Sequence, residues 1–522
     1  MKNVVRAMRL TAPAVGFSAL SGVLTALVVI AYKWCAKHAI AGAELGYHFL
    51  REHWWCVPLV LVALGGLAFG LSWVYRRAPN LRGGGIPTSI GILRGQTPFR
   101  WLTSLVGMFG LSLISFVIGL PLGNEGPSVQ IGTAVGLGSA ALSKKSAAWD
   151  RYTMTGGACA GFAVATGAPI SGVLFAVEEA HRRVSSTLFV CACVSVLCAG
   201  LTNAAVSPLL GVSTALFPSL SLVTLSVREA WLPLAIGVVM GLFAVVFLHY
   251  YQLVNRFFRH RLGKVGAAWK IWLVLAATVI AGLCSFSCIS TGHELIVSLL
   301  GSGTAVWVLA VLLIVRVNLT LCANINHLTG GIFLPLMALG ALIAAMLGEG
   351  VALLPAFGRE YYTVVLMLGI TACVAGMMRM PLTAIVFAVE ALSGYNNILY
   401  VILAAATAFI ITELFGVNSI NDSVLEHRKA TLNKNADRRV IDTKVTVQAG
   451  SFAVGREIRD ILWPNGLFVL SVQRAETTET HSGLCAGDVL HVRYVTADDA
   501  ERKELLALVG TQEYEEIEAV GE

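Results

Sequence analysis

The stretch GACAGFAVATGAPISGVLFAVE at residues 157–178 recurs 212 residues later as GITACVAGMMRMPLTAIVFAVE at residues 369–390. Eight of the 22 aligned positions are identical, including the Phe-Ala-Val-Glu run that ends both copies. In each copy a proline is followed two residues later by a hydroxyl side chain, Ser171 or Thr383. Small apolar residues often coincide in membrane helices, but this ordered pattern does not arise so easily. The chain is therefore predicted to contain an internal duplication, and two-fold repeats with interrupted helices are typical of secondary transporters.

The composition excludes an ordinary soluble enzyme. Of the 522 residues, 56% are hydrophobic and 13% are charged, whereas soluble proteins average about 25% charged residues. The mean hydropathy of +0.75 is typical of lipid-facing helices. Several apolar segments are interrupted by Gly or Pro, which at membrane depth is tolerated only where the freed backbone lines a cavity or is buried in protein. The sequence therefore predicts an all-α polytopic membrane body that holds something polar.

The charges divide the chain into two domains. Residues 429–522 contain 11 basic and 16 acidic residues, while residues 1–428 contain 26 basic and 14 acidic ones. We expect a transmembrane domain at 1–428 and a small cytosolic α+β domain at 429–522. In the second domain the pattern predicts strands at 467–472 and 489–495, a helix at 498–508, and a solvated acidic tail at 513–522.

The net charge of +7 does not indicate a nucleic-acid partner. The basic residues of the body lie in short flanks between apolar runs, where the positive-inside bias explains them. Lys2, Arg6 and Arg9 precede 23 uncharged residues, which predicts a retained first helix and a cytosolic N-terminus in the cell membrane. Cys485, the only cysteine of the C-terminal domain, suits a reducing cytosol.

Three Gly/Pro motifs interrupt the hydrophobic body: Gly83-Gly84-Gly85-Ile86-Pro87, Gly123-Asn124-Glu125-Gly126-Pro127 and Gly330-Gly331-Ile332-Phe333-Leu334-Pro335. In each motif the proline can occupy the first turn of a following helix. Glycine lets the backbone approach a ligand closely, and a helix N-terminus presents unpaired N–H groups at the positive end of its dipole. Three such termini that converge at mid-membrane can bind an anion without a buried cation.

The three motifs and the duplicated Pro…Glu helices, in this order, resemble the CLC family of chloride channels and proton-coupled chloride antiporters, from about residue 10 to residue 428. The resemblance implies an inverted repeat of broken and tilted helices and a homodimer with one chloride or other halide pathway per subunit. It implies dimer contacts at about 169–204 and 381–415. The anion-binding residues that it implies are Gly83, Gly84, Gly85, Ile86, Gly123, Asn124, Gly126, Gly331, Ile332, Phe333 and, at the inner end, Asn421.

Glu125 is the principal candidate for gating. A carboxylate in an apolar membrane body costs about 3 kcal/mol unless it has a partner. Its natural partners are the N–H groups that an anion uses, so it can occupy an anion site when ionised and leave it when protonated. The alternative is a carboxylate that only caps its own helix. In the family this position is the external gating glutamate.

Glu178 and Glu179 are expected to differ in role. Glu390 matches Glu178 in the repeat, which indicates a pair of structural acids at helix ends. Glu179 is opposite Ala391, so the repeat does not require it. It matches the internal proton-transfer glutamate that the family's antiporters contain. The alternative is a solvated or salt-bridged acid near Arg182 and Arg183.

Three positions depart from the family's pattern. Gly84 replaces a serine whose hydroxyl contacts the anion, and Asn421 stands where a tyrosine supplies a second hydroxyl. Losing both hydroxyls predicts a wider inner constriction, although the Asn421 amide can donate to an anion. Asn124 replaces an arginine, as in the fluoride-exporting branch of the family. A chloride/proton antiporter is therefore predicted, with a fluoride/proton antiporter and a passive anion channel as alternatives.

The C-terminal domain, at about 440–510, resembles the C-terminal half of regulatory domains attached to bacterial potassium uptake systems and exchangers. The resemblance depends on Val454–Arg459, Pro464–Gly466 and Ala486–Leu490, and it implies control from the cytosol.

Two other function classes remain open at this stage. An intramembrane metalloenzyme needs ligands at regular spacing, but His293-Glu294 is isolated and no H-E-x-x-H is present. A sodium-coupled carrier of organic solutes is the other alternative. No cofactor or metal is implied.

Overall fold

The computed structural model describes residues 2–97, 99–142, 147–301, 303–355, 357–432, 439–475, 483–496, 500–510 and 515–518. Within these ranges, ten helical stretches are long and apolar enough to cross a membrane. The protein is therefore a multi-pass membrane protein, with a small sheet at its C-terminal end.

The α-helices follow one another from the N-terminus with short connections. In chain order they are α1 (Lys2–Glu52), α2 (Val57–Arg77), α3 (Ile86–Leu93), α4 (Trp101–Ile118), α5 (Glu125–Leu142), α6 (Asp150–Thr166), α7 (Pro169–Phe175), α8 (Ser186–Val206), α9 (Trp231–His260), α10 (Ala267–Cys284), α11 (His293–Leu299), α12 (Val306–Ile325), α13 (Phe333–Ala352), α14 (Tyr361–Met378), α15 (Pro381–Ala391), α16 (Ile398–Leu414), α17 (Ile420–Leu432) and α18 (Ala500–Val509).

The sequence repeat extends over four helices in each half of the body. The helices α5–α8 correspond to α13–α16, and the first residue of α8, Ser186, is 212 positions before the first residue of α16, Ile398. The helix α5 packs on α6 as α13 packs on α14. Glycines at i and i+4 make the first contact close, because a Cβ at Gly132 or Gly136 would meet the backbone of α6.

Two glutamates join the halves reciprocally. The Glu178 carboxylate accepts hydrogen bonds from Leu382 N (2.9 Å), Thr383 N (2.7 Å) and Thr383 Oγ1 (2.6 Å) at the start of α15. The Glu390 carboxylate accepts from Ile170 N (2.7 Å), Ser171 N (2.9 Å) and Ser171 Oγ (2.7 Å) at the start of α7. Each acid satisfies the orphan N–H groups of the other copy, so the prediction of paired structural acids is confirmed.

Two apolar runs of the sequence differ in extent from the helices that they form. The apolar segment that includes residues 153–177 breaks at Gly167, where a φ of 68° ends α6 and allows α7 to start in a new direction. The first helix continues past the uncharged run and ends at Glu52, because no proline follows Tyr32 before that point.

The C-terminal domain contains an antiparallel four-stranded sheet. The strands are β1 (Arg439–Thr446), β2 (Phe468–Gln473), β3 (Val489–Thr496) and β4 (Glu515–Glu518), in the order β2-β3-β1-β4. The predicted strands and helix correspond to β2, β3 and α18. Residues 515–518 of the predicted acidic tail form β4, which pairs with β1, so they belong to the sheet; the other residues of 513–522 lie outside the described residues. The compositional boundary at 428/429 falls inside α17.

The sheet domain packs directly on the membrane body. Tyr152 at the start of α6 donates to Asp460 O (2.8 Å) and accepts from Leu462 N (3.0 Å). The Asp460 carboxylate accepts from Ser186 N (2.8 Å), the first residue of α8. Arg151 donates to Trp463 O at 2.7 Å. The two domains therefore share an interface made of specific hydrogen bonds.

Candidate functional site

The three Gly/Pro motifs meet in the middle of the body. Gly123 and Gly331 form an isolated antiparallel bridge, with Gly123 N donating to Gly331 O (2.6 Å) and Gly331 N donating to Gly123 O (2.7 Å). The first motif joins them through Gly330 N, which donates to Gly83 O at 3.4 Å. The helices α3, α5 and α13 therefore begin at one common place.

Only glycine permits this approach at three positions. A Cβ at Gly126 would lie 2.7 Å from Gly331 Cα, and one at Gly331 would lie 2.7 Å from Gly126 N. A Cβ at Gly85 would overlap the Gly126 carbonyl, and Gly85 also has a φ of 74°. Real Cβ atoms do not approach backbone atoms so closely, so the junction sterically requires glycine at these three positions.

Ten of the predicted anion-binding residues gather at this junction. They are Gly83, Gly84, Gly85, Ile86, Gly123, Asn124, Gly126, Gly331, Ile332 and Phe333. The first N–H groups of a helix have no partner within it, and the aligned peptide dipoles place a partial positive charge there. The junction is therefore suited to a small dehydrated anion held by backbone N–H groups.

Glu125 is fully buried at this junction. Its relative exposure is 0%, and it begins α5. The backbone N–H groups of Glu125 and Leu334 face the carboxylate, but neither carboxylate oxygen completes a hydrogen bond among the described residues. The carboxylate thus lies among N–H dipoles of two helices without being fixed by them.

An aromatic cluster surrounds Phe333 of the third motif. Its ring makes edge contacts with Phe162 and Phe387 at centroid distances of 5.4 Å each, and Phe162 stacks on Phe175 at 5.7 Å. Phe175 and Phe387 are equivalent in the repeat. Sequence reasoning missed this cluster, although the repeated Phe-Ala-Val-Glu run contained the signal.

Glu179 lies in a π-helical turn that follows α7, at 176–180. It is 1% exposed, and its Oε1 accepts a hydrogen bond from Asn421 Nδ2 at 3.0 Å. Asn421 lies in the first turn of α17, which packs on α3. Its amide nitrogen already has an acceptor, and an anion contact at Asn421 stays a prediction. Single π-helical turns often occur at functional sites.

Cations near Glu179 bind other acceptors. Arg94, which follows α3, donates to the backbone oxygens Glu179 O and Ala180 O, both at 2.8 Å. Arg182 Nη2 pairs with Asp422 Oδ2 at 2.5 Å. The alternative of a salt bridge from Glu179 to Arg182 is therefore not the geometry found. Arg94 was not identified from the sequence, because no local pattern connects it to residue 179.

Lys33 is a second residue that sequence reasoning missed. It lies in α1, and its Nζ donates to Val164 O (2.9 Å) in the last turn of α6 and to Ser213 O (3.1 Å). Its charge is within electrostatic range of Glu125. The sequence did not single it out, because it directly follows the uncharged run of the first helix, where a flanking lysine is common.

The family described as voltage gated chloride channel, or CLC, matches residues 65–413. The chain belongs to this family. The H(+)/Cl(-) exchange transporter ClcA of Klebsiella pneumoniae (strain 342) is 28% identical over 427 residues, which cover 79% of this chain and 88% of that protein. ClcA of Salmonella typhi is 29% identical over 444 residues, which cover 80% and 91%. These CLC relatives are transporters.

Solved structures establish the CLC fold. A slow cyanobacterial Cl-/H+ antiporter has a TM-score of 0.74 at 23% identity and covers 80% of this chain and 99% of its own. A CLC-type fluoride/proton antiporter has a TM-score of 0.63 at 18% identity and covers 77% and 95%. The predicted membrane fold, a CLC-like body of broken helices followed by a small domain with a sheet, is confirmed.

Proposed function

We propose that this protein exchanges chloride for protons across the membrane. The observation that carries the proposal is a fully buried carboxylate, Glu125, at the point where the backbones of three helix starts touch. Its CLC relatives named as H(+)/Cl(-) exchange transporters, similar over about four fifths of the chain, support the same reaction.

Competition at one place explains how Glu125 acts as gate and proton carrier. The ionised carboxylate and a halide both bind to N–H groups at the junction, so one displaces the other. Protonation removes the negative charge, weakens the attraction of the side chain to these dipoles, and opens the place to the anion. Anion entry and proton uptake are thereby linked at a single residue.

Glu179 is proposed as the proton acceptor on the cytosolic side. Its burial and its hydrogen bond from Asn421 on α17 support a second proton-binding group separate from Glu125. Anions and protons then share Glu125 and separate towards the cytosol.

The experiment uses purified protein in vesicles loaded with chloride, with halide efflux and external pH recorded together. We expect Glu125→Gln to abolish the pH dependence of flux and the proton movement. Glu179→Ala is expected to stop proton movement while chloride flux continues. The matched control is Glu44→Gln, an exposed acid on α1, which should leave both fluxes unchanged. Proton coupling that persists in both Glu125→Gln and Glu179→Ala would contradict the proposal.

Fluoride is the second candidate for the transported anion. Asn124, half-buried beside Glu125, has no charge, and a fold neighbour is a fluoride/proton antiporter. Vesicles loaded with fluoride instead of chloride decide between the two: faster proton-coupled efflux from the fluoride vesicles would assign this chain to fluoride.

A homodimer is proposed, through α7, α8, α15 and α16. These helices pack on one another in sequence, α8 on α7, α7 on α15 and α15 on α16, and they have exposed apolar side chains: Ile170, Leu197, Leu201, Leu382, Leu399 and Ile402. Light scattering of the protein in detergent tests the stoichiometry, and a monomer would contradict this assignment.

The domain at 429–522 is proposed to be a cytosolic regulatory domain, with the N-terminus on the same side. Its hydrogen bonds to the first turns of α6 and α8 support direct mechanical contact with the transporting body.

A further inference from the structure

Asn421 and Glu179 form a buried pair in which two polar atoms have no partner. Asn421 Nδ2 donates to Glu179 Oε1, and both side chains are 1% exposed. Glu179 Oε2 and Asn421 Oδ1 make no hydrogen bond with any described residue. Both of these atoms are acceptors when the acid is ionised, and leaving two buried acceptors unsatisfied costs free energy.

One proton on Glu179 supplies the missing donor. A protonated carboxyl group has an O–H donor and a carbonyl acceptor, and a primary amide has an N–H donor beside a carbonyl acceptor. The two groups are complementary, so protonated Oε2 can donate to Oδ1 while Nδ2 continues to donate to Oε1. We propose that Asn421 is a positioning residue that holds the protonated form of Glu179 in a two-bond acid–amide pair. This rests on the function proposed above.

The charged residues near Glu179 bind other groups, so Asn421 is the residue that contacts the Glu179 carboxyl group. Asp422 on α17, Arg182 after the π-helical turn and Arg94 after α3 all face it. Arg182 binds Asp422, and Arg94 binds backbone oxygens. A guanidinium on the carboxylate would favour only the ionised acid, whereas an amide binds the ionised and the protonated acid in turn.

The pair connects proton occupancy with the anion path. Asn421 is in the first turn of α17, which packs on α3, and Leu425 of α17 lies beside Gly91 of α3. The helix α3 starts at the first Gly/Pro motif. Loss of the proton breaks one of the two hydrogen bonds that hold α17 to Glu179. The packing of α17 on α3 is therefore less constrained when Glu179 is ionised.

An infrared measurement tests the pair without transport. Difference spectra of the lipid-reconstituted protein between acidic and neutral pH contain the carbonyl band of protonated Glu179, which is assigned by its loss in Glu179→Gln. In Asn421→Leu this band should move to higher frequency, because the carboxyl group loses its hydrogen bonds. A band at the wild-type frequency in Asn421→Leu would overturn the proposal.

Flux measurements supply the second test. In Asn421→Leu, protons moved per halide should fall roughly two- to tenfold, the effect of losing about one hydrogen bond. In the double variant with Glu179→Gln, the ratio should equal that of Glu179→Gln alone, because Asn421 acts through Glu179. Asn203→Leu on α8 is the control, a buried asparagine bonded to Ser207, and should match wild type. An unchanged ratio in Asn421→Leu overturns the pair.

A folding defect and a failure of the proposed function can both be distinguished from a failure of the acid–amide pair. Asn421→Ala is made in parallel, so that a folding defect of the leucine variant, seen by size exclusion, does not decide the result. Absence of halide–proton exchange in the wild type would defeat the proposed function, while the infrared band would still test the pair.

Discussion

At the residue scale, two adjacent glycines of the first motif should respond oppositely to the same substitution. A Cβ at Gly84 would meet Gly330 O at 3.5 Å and Pro87 Cδ at 3.6 Å, which are ordinary contacts. Gly84→Ser should therefore fold and add a hydroxyl at the junction, tightening halide binding by roughly two- to tenfold. Isothermal titration with halide measures this, and equal or weaker binding would contradict it.

Gly85→Ser is the matched control for that prediction. Its φ of 74° and the overlap of a Cβ with the Gly126 carbonyl predict a strained, poorly folded protein, at a cost of about 1–3 kcal/mol from the backbone alone. We expect loss of the monodisperse peak in size exclusion. A well-folded Gly85→Ser would show that the junction is looser than these contacts indicate.

The same residues show what the sequence could predict at this scale. The Gly/Pro spacing predicted where helices start and that Glu125 is placed among them, since both depend on a few neighbouring residues. It did not predict that the Asn421 amide donates to Glu179. That contact joins residues 242 positions apart, and no local pattern specifies it.

At the element scale, the two adjacent acids after α7 should separate stability from transport. Glu178→Ala leaves Leu382 N and Thr383 N at the start of α15 without their acceptor, which should cost about 2–3 kcal/mol and lower Tm. Glu390→Ala should act alike, because its bonds at α7 are equivalent. Glu179→Gln, whose amide can keep the hydrogen bond from Asn421, should leave Tm nearly unchanged but stop proton movement. Thermal unfolding in detergent, with Glu52→Ala at the exposed end of α1 as control, tests this contrast.

The reciprocal glutamates also explain why the repeat was visible in the sequence. The glutamate of each copy binds the hydroxyl group and the N–H groups that start the helix of the other copy, so the fold needs the same residue types at both places. The helix breaks between α6 and α7 depend on a left-handed Gly167, which hydropathy alone does not distinguish from a glycine inside a continuous helix.

At the scale of the whole molecule, the change in charge predicted two domains but not the contact between the two regions. The change in charge at 428/429 is compositional, whereas the interface depends on individual matches such as Tyr152 with Asp460, 308 residues apart. Strand β4 was not predicted for a related reason. Its acidic residues have low β-propensity, and the strand forms through its pairing with β1, which is far away in sequence.

The interface predicts a measurable link between the sheet domain and α8. The Asp460 carboxylate lies at the N-terminus of α8, where it accepts from Ser186 N and interacts favourably with the helix dipole. A cap of this kind contributes about 1 kcal/mol, so Asp460→Ala should speed amide hydrogen exchange in the first turn of α8 about fivefold. Asp442→Ala is the control, because Asp442 pairs with Arg493 within the sheet (2.7 Å). If exchange at 186–189 were equal in both variants, the domain would rest on the body without stabilising it, and regulation through this contact would have no physical basis.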